Sequence, residues 1–247
     1  MLPSHPPAEN LAVGKRVRTS ADAVRFIESA GFCLLFPVKN VQLPSLYFAM
    51  GRQWPPEWDD DAKKLWRWKD EIPKRHRAFY GKYFKGRGTF LSLDCLSLLL
   101  AAREAAVECG DHEPFYSAGR ISRDAAAIWQ ALAKLGPLPT LELRHACKME
   151  TQSGNKRFKK AMLELQSLLI VTHSGAEQET NSWASNRFDL VARAFPKQVE
   201  NARRILPDKA RSALAAKYRK LYPDAPPVQV ARLFGWTTGQ AAAALGL

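Results

Sequence analysis

The order of helix-like and strand-like segments in the second half of the chain constrains the fold most strongly. Ser122 can cap a first helix, Thr140 can cap a short second helix, and a third helix-like segment covers residues 156–169. Two apolar runs with the composition of strands follow, at residues 168–174 and 186–195. Three helices, of which the second and third are close together, followed by a β-hairpin, predict a winged helix.

The third helix of this segment separates apolar from basic side chains. Phe158, Met162 and Leu165 fall on one side at helical spacing, whereas the other side and its flanks are basic, with Glu164 as the one acidic residue. In a winged helix this helix enters the major groove, so we expect it to contact DNA. A charged face that only meets solvent is the alternative. The predicted contacts are Lys156, Arg157, Lys159 and Lys160, with His173 and Arg187 at or near the wing.

The net charge narrows the choice of partner. The 247 residues carry a formal charge of +13, and the isoelectric point is about 9.8. Such a balance favours DNA, RNA or an anionic membrane as partner. The cations are not confined to a tail, because the stretch from Lys63 to Arg87 contains ten Lys and Arg against two carboxylates. A folded binding face is therefore expected rather than a disordered arm.

The same stretch mixes its cations with aromatic rings. A helix is predicted to begin near residue 59 and to end at Pro73, with Trp58 in its apolar stripe and with Trp66 and Trp68 at the edge of the core. Residues 74–88, which follow this helix, have the pattern of a strand and a turn that expose basic and aromatic side chains. The predicted phosphate contacts are Arg75, Arg77, Lys82, Lys85 and Arg87, and the rings predicted to stack on a displaced base are Tyr80, Tyr83 and Phe84.

The whole chain is expected to be mainly α with small β-hairpins, an α+β fold of tandem winged-helix or helix-turn-helix modules. In the tail, Thr237 and Gln240 form a capping box that predicts a last short helix. The predicted organisation is a flexible leader (1–18), an N-terminal winged-helix-like region with a basic aromatic insertion (19–117), a winged helix (118–196) and a C-terminal helix-turn-helix that is a truncated winged helix (197–247).

Several classes of site lack support in the sequence. The four cysteines and five histidines are scattered, without the spacing of metal ligands, and no phosphate-binding glycine loop is present. No apolar run is long enough to span a bilayer. We therefore expect no metal, no cofactor, no membrane association and no small-molecule substrate. The predicted location is cytoplasmic, in association with the nucleoid.

Three stretches carry a resemblance to a known family. Residues 226–245 (PPVQVARLFGWTTGQAAAAL), residues 30–49 (AGFCLLFPVKNVQLPSLYFA) and residues 65–73 (LWRWKDEIP) resemble segments of the winged-helix DNA glycosylases of the AlkZ/YcaQ type. The resemblance covers most of the chain from Thr19 onward. It implies tandem winged helices and duplex DNA, damaged or intact, as the partner.

The catalytic signature of that family is not retained. A glutamine, an apolar residue and an Asp or Gln would fall on Leu34, Leu35 and Phe36, which are all apolar. Cleavage of a glycosidic bond builds positive charge on the sugar, and a carboxylate or amide is needed to stabilise it and to orient water. The remaining polar candidates for catalysis are Gln42, Asp70 and Glu71.

Three functions are compatible with these patterns. The first is a non-catalytic DNA-binding protein built from winged helices that are related to repair glycosylases. The second is an active glycosylase that releases alkylated or crosslinked bases with other residues. The third is a winged-helix regulator or adaptor with a protein partner.

Overall fold

The computed structural model of the protein describes residues 16–39, 41–178 and 184–247. The predicted leader therefore lies outside the described residues except for its last three positions. Helices dominate, and the strands form two antiparallel sheets of three strands each. The predicted class, mainly α with small β-hairpins, is confirmed. In the described ranges, no helix is both long and apolar enough to cross a bilayer.

The first sheet unit covers residues 20–91. The strand β3 lies between β1 and β2 and is antiparallel to both, with Phe32 opposite Leu91 and Gly81 opposite Thr89. A 3₁₀ turn at Phe84–Gly86 joins β2 to β3. Its elements are α1 (Ser20–Ala30), β1 (Phe32–Leu34), α2 (Leu46–Ala49), α3 (Asp60–Lys74), β2 (Phe79–Lys82) and β3 (Gly88–Leu91).

Local chemistry explains where α3 begins and how far it extends. The Asp59 carboxylate accepts a hydrogen bond from the Ala62 backbone N–H at 2.9 Å and so caps the helix. Pro73 does not end α3, as the sequence had suggested, because it lies in the last turn, and the helix continues to Lys74. The apolar side of α3 includes Leu65 and Ile72, which pack against α1 and α2.

The second sheet unit covers residues 123–190 and repeats the element order of the first. Its strand β6 lies between β4 and β5, as β3 lies between β1 and β2. Ser122 caps its first helix, as predicted, by accepting a hydrogen bond from the Ala125 N–H. After the connecting helices α4 (Leu93–Ala102) and α5 (His112–Ser117), its elements are α6 (Arg123–Leu135), β4 (Leu138–Pro139), α7 (Thr140–Ala146), α8 (Gln152–Ser167), β5 (Val171–Glu177) and β6 (Ser185–Leu190).

The C-terminal helices share a core with the first sheet unit. The rings of Tyr218 and Phe234 pack against Phe32 of β1, and the capping box of Thr237 and Gln240 is confirmed. Residues 197–247 therefore have no separate hydrophobic core, and the predicted domain boundaries stay a prediction. The helices are α9 (Val191–Ala194), α10 (Pro196–Arg203), α11 (Pro207–Leu221), α12 (Pro227–Phe234) and α13 (Thr238–Leu245), of which α10 and α11 pack on α4.

The two sheet units are in direct contact through α3 and β5. The Thr172 hydroxyl of β5 donates to the Tyr80 carbonyl of β2 at 3.1 Å, and the Gln166 amide oxygen of α8 accepts from the Lys82 N–H at 3.0 Å. These contacts place α8 of the second unit beside the β2–β3 turn of the first. Because α8 lies beside this turn, the basic side chains of α8 are close to those of the turn.

Candidate nucleic-acid interface

The helix α8 presents three lysines to solvent. Thr151 caps the helix by accepting from the Gly154 N–H at 3.0 Å, and one side, which includes Phe158, is buried against α6. The predicted separation of apolar and basic faces is confirmed. Within the described part of the chain, no carboxylate lies within 4.0 Å of the ammonium groups of these exposed lysines. They are Lys156, Lys159 and Lys160.

The fourth basic residue of α8 is already paired. The Arg157 guanidinium holds the Asp124 carboxylate of α6 through two hydrogen bonds, one of them 2.8 Å from Nε to Oδ2. These hydrogen bonds lower the pKa of the Asp124 carboxyl. Glu164, the acidic residue of α8, accepts from both the N–H and the hydroxyl of Ser122 at 2.7 Å. Arg157 thus joins two helices, while the three lysines keep their charge for an external partner.

Leu163, the apolar residue on the polar side of α8, contacts the first sheet unit. Leu163 is one helical turn from Lys159 and lies against Gly86 in the β2–β3 turn. Gly86 has a φ of 67°, and a β-carbon there would stand 3.3 Å from Leu163 Cδ1. The contact brings the lysines of α8 next to the exposed cations of this turn. Those cations are Lys82, Lys85 and Arg87.

The same turn also contacts α12. The Lys85 ammonium donates to the Arg232 carbonyl at 3.0 Å, and the Arg232 side chain is exposed. Cations from three parts of the fold therefore follow one another across one surface. We call this surface the basic strip, and its members are Lys156, Lys159, Lys160, Lys82, Lys85, Arg87 and Arg232.

Arg75 and Arg77 belong to a different surface. Both are exposed just beyond α3, where they line a cleft of about 500 Å³ together with residues of α1. Arg77 stands 3.9 Å from the Glu28 carboxylate. Of the five cations predicted from this segment, these two are grouped with α1, and the other three lie on the basic strip.

Of the three aromatic residues predicted to stack on bases, two are buried and one is half-buried. Phe84 is 1% exposed and Tyr83 is 6% exposed, and the Tyr83 hydroxyl accepts from Arg103 Nε at 2.7 Å. The Tyr80 ring is held against Phe90, with the ring centroids 4.7 Å apart. The stacking prediction is corrected for Tyr83 and Phe84, because both rings are buried and give no face to a base. For the half-buried Tyr80 it stays a prediction.

Exposed rings occur instead at the start of α3. Trp58 is 59% exposed and Trp66 is 42% exposed, with their ring centroids 5.7 Å apart in an edge-to-face arrangement. The prediction that Trp58 belongs to the buried stripe was wrong, because it precedes the N-cap residue Asp59 and is not part of the helix. Trp68 is buried, as expected for the core edge. The capping residue was the signal in the sequence that could have separated Trp58 from the stripe.

A polar cluster joins α3 to the second sheet unit. Asp70 Oδ1 accepts from Lys69 Nζ at 2.5 Å and from His173 Nε2 at 2.6 Å. Lys69 Nζ also donates to the Asn186 side-chain oxygen at 3.1 Å and lies over the Trp66 ring. Lys69 and His173 are buried, whereas the Asp70 side chain is 24% exposed. The expectation that His173 contacts DNA is corrected, because this ring is buried between the two units.

The environment determines the protonation states in this cluster. Burial alone would raise the pKa of Asp70, but the hydrogen bonds from His173 and Lys69 outweigh burial and lower it. Burial lowers the pKa of His173 below its ordinary value, despite the hydrogen bond to Asp70. At neutral pH, Asp70 is therefore ionised, and a neutral His173 donates its Nε2–H. Asp70 Oδ2 has no hydrogen-bond partner among the described side chains, and the Asp70 side chain is partly exposed.

The contacts of the Arg187 guanidinium lie within its own sheet unit. Its Nη2 donates to the Pro137 carbonyl at 3.2 Å, and its Nη1 stands 3.6 Å from the Glu177 carboxylate. The residue is half-exposed on β6, next to the segment 179–183, which lies outside the described residues. Arg187 therefore lies on the hairpin formed by β5 and β6, with part of its hydrogen-bonding capacity already used.

The position of the family's catalytic signature is closed. Leu34 is fully buried and Leu35 is 3% exposed, while the Phe36 ring packs on Tyr47 at 5.6 Å between centroids. Of the alternative candidates, Glu71 is exposed on α3, and the Gln42 side-chain oxygen accepts from Gln229 Nε2. The structure brings Asp70 together with Lys69 and His173, but it does not bring Gln42 into that cluster.

No metal centre is formed by the part of the chain that the structure describes. It contains no group of three or more His, Cys, Asp or Glu side chains that could hold a metal ion, and all four cysteines are free thiols. Burial raises the pKa of the Cys147 thiol to about 11, and it also raises the pKa of Cys33. These thiols are protonated at neutral pH and are therefore poor nucleophiles.

Comparison with known families identifies the class of protein. A family model described as AlkZ related matches residues 17–235, which is most of the chain, so the protein belongs to the AlkZ-related family. The resemblance to AlkZ/YcaQ-type proteins is thereby confirmed, and the chain is a DNA-repair glycosylase-like protein. No curated protein and no solved structure matches the chain.

Proposed function

We propose that the protein binds duplex DNA, intact or damaged, through the basic strip, with α8 in the major groove and the β2–β3 turn on the adjacent phosphate backbone. The observation that carries this proposal is the set of three exposed lysines on α8 without a carboxylate partner among the described residues. Fixed cations of this kind bind phosphates by releasing counterions. The contact of Leu163 with Gly86 extends the same surface to the first sheet unit.

The element order supports a tandem winged-helix architecture for this DNA-binding protein. Each sheet unit runs helix, strand, helix, helix and two strands, and in each the last strand lies in the middle of the sheet. In a winged helix, the third helix reads the major groove and the hairpin between the last two strands forms the wing. The helix α8 is the third helix of the second unit, and its three exposed lysines have no carboxylate partner among the described residues.

The protein is non-catalytic in this proposal. The side chains of residues 34–36 are apolar and packed, so they cannot hold a water molecule or stabilise positive charge on a sugar. A scaffold can keep a DNA-binding surface after the reaction of its relatives is lost, because function depends on the site and not on the fold.

A charge-removal experiment tests this proposal. Lys156→Ala, Lys159→Ala and Lys160→Ala are combined in one protein, and its affinity for a duplex oligonucleotide is measured by fluorescence anisotropy. A control protein carries Lys197→Ala, Lys209→Ala and Lys220→Ala, which remove the same charge from α10 and α11. We expect the slope of log K against log salt to become shallower by about 3 in the α8 variant only, about 0.9 per lost phosphate contact. Equal slopes in both variants would contradict a specific role for α8 and would favour a protein partner.

A glycosylase reaction centred on Asp70 is the second candidate function. It is favoured by the geometry of the polar cluster, in which the carboxylate is ionised, partly exposed and has Oδ2 unpaired among the described residues. Such a carboxylate can stabilise positive charge on a sugar. The test is release of a free base from alkylated duplex DNA. Release that is lost in Asp70→Asn, while circular dichroism and duplex binding show that this variant is folded, and that is kept in Gln42→Ala would establish this reaction. No release by the wild-type protein would exclude it.

A further inference from the structure

A pocket of about 430 Å³ opens where the first sheet unit meets α11 and α12. Its volume falls in the range of small-ligand sites. Val41, Val228 and Leu233 supply apolar walls, while Gln42 and Gln229 place two side-chain amides inside. Neither the DNA-binding surface nor the family's catalytic position accounts for this combination of apolar walls and convergent amides.

A chain of hydrogen bonds fixes how the two amides are oriented. The Tyr218 hydroxyl has one proton, and it donates this proton to the backbone carbonyl of Gln42 at 3.2 Å. The same hydroxyl oxygen accepts from Gln229 Nε2 at 2.6 Å, so the nitrogen of that amide faces Tyr218. Gln229 Nε2 also donates to Gln42 Oε1. Burial raises the pKa of Tyr218, so the phenol stays protonated in this arrangement.

This orientation leaves one amide nitrogen and one amide oxygen without a hydrogen bond. The Gln42 Nε2 donors and the Gln229 Oε1 acceptor have no partner among the described residues, and both side chains line the pocket. A donor next to an acceptor is the pattern that a nucleobase edge can satisfy, because the bases carry both kinds of group in one plane. The apolar walls suit the faces of a planar heterocycle.

The rim of the pocket is basic. Lys85 and Arg232 both line it, and the lining contains no carboxylate. Both residues are exposed, and neither forms an ion pair in the described ranges. A phosphate attached to a bound heterocycle would therefore meet cations and no repelling charge. Lys85 and Arg232 are also the end of the basic strip, so the pocket adjoins the surface that we propose for DNA.

We propose that this pocket binds a nucleotide, with the base edge on Gln42 and Gln229 and the phosphate on Lys85 and Arg232. The nucleotide has two sources, a base displaced from DNA or a free nucleoside monophosphate. The first source rests on the proposed DNA-binding function, and the second does not.

Two measurements distinguish the sources. In the first, anisotropy compares a duplex that carries one bulged, unpaired base with the same duplex fully paired. In the second, calorimetry titrates the four deoxynucleoside monophosphates into the protein without DNA. Both are repeated with Gln42→Leu/Gln229→Leu, with Val228→Trp to fill the pocket, and with Gln130→Leu, an exposed glutamine of α6, as the matched control. Circular dichroism confirms that each variant is folded.

We expect the bulged duplex to bind about tenfold more tightly than the paired duplex, because only the unpaired base can reach the apolar walls and the two amides of the pocket. Gln42→Leu/Gln229→Leu and Val228→Trp should remove this preference and leave the paired duplex within twofold of wild type. Binding of a free monophosphate that both pocket variants abolish would support the pocket even if no duplex binds. Duplex binding without any bulge preference or monophosphate binding would overturn the pocket and leave the proposed function standing.

Discussion

The two sheet units have the same plan, but their third helices meet different surroundings. The helix α3 packs against β5, and its Lys69 and Asp70 are held in the junction with His173 and Asn186. The helix α8 turns one face to its own core and leaves three lysines in solvent. Both third helices contact the other unit, but α3 holds its Lys69 and Asp70 inside the junction, whereas α8 leaves its lysine face exposed. A shared element order therefore does not determine which unit carries a function; the contacts of the third helix do.

The helices α3 and α8 also differ in the acidic residues of their first turns. The first turn of α3 contains Asp60 and Asp61, which pair with lysines one turn away, while the first turn of α8 contains no acidic residue. The start of α3 would therefore repel a phosphate backbone unless its cations compensate. The start of α8 combines a positive helix end with nearby lysines, which attracts anions.

Charge reversal should give the largest difference in duplex affinity between variants of α8 and variants of α3. Lys156→Glu, Lys159→Glu and Lys160→Glu on α8 should weaken duplex binding on the order of a thousandfold, because three phosphate contacts become repulsive. Lys63→Glu, Arg67→Glu and Lys74→Glu on α3 make the same change in net charge and should cost less than tenfold. Anisotropy at 100 mM salt measures both. A similar loss for the two variants would mean that net charge, and not α8, determines binding.

Removing one member of the polar cluster should destabilise the fold. Asp70→Asn or Lys69→Met alone should each lower the free energy of unfolding by about 3 kcal/mol, because the partner is left buried without its counter-charge. The double variant should lose less than the sum of the two. Urea unfolding gives all three values, and Asp60→Asn with Lys63→Met on the exposed side of α3 is the matched control. Additive losses would show that Lys69 and Asp70 do not act as a pair.

The same cluster predicts a pH dependence. Because the folded-state pKa of His173 lies below its ordinary value of 6.5, the unfolded chain takes up a proton first as the pH falls. Stability should therefore decrease as the pH falls from about 7 through 6.5, by up to about 1.4 kcal/mol per pH unit. His173→Gln should remove this part of the slope. An unchanged slope between pH 7.5 and 5 in that variant would show that His173 does not determine it.

The helix caps should give the smallest effects. Thr151→Ala at α8 and Asp59→Ala at α3 each remove a cap hydrogen bond, and each should lower the free energy of unfolding by about 1 kcal/mol. The loss at Asp59 should be the larger of the two, since its carboxylate also pairs with Arg52. Thr151→Ser, which keeps the hydroxyl, should stay within a few tenths of wild type. A full loss in Thr151→Ser would contradict the capping role.

Local patterns in the sequence predicted the elements well. The caps at Ser122 and Thr237, and the apolar side of α8, follow from short-range spacing and are all confirmed. The capping of α7 differs, because Thr140 is its first helical residue and its hydroxyl donates to the Asn186 carbonyl at 2.9 Å. Propensities of this kind depend on neighbouring residues, so they are visible without a tertiary structure.

Burial that depends on contacts between distant segments could not be predicted from local sequence patterns. Asp70 and His173 are 103 positions apart, and only the packing of α3 on β5 brings them together. Leu163 looked like an exception on the polar side of α8 until the structure placed Gly86 against it. The burial of Tyr83 and Phe84 likewise depends on Arg103 and Phe234, which lie far away in the sequence. The exposure of the predicted cations could therefore be read from the sequence better than the exposure of the rings.

Salt titration of the wild-type protein on a paired duplex tests whether the basic strip binds DNA. If about six phosphates are engaged, the affinity should fall on the order of a thousandfold between 50 and 200 mM salt. An affinity that stays within a few-fold across this range, or the absence of any binding at 50 mM, would contradict the proposal.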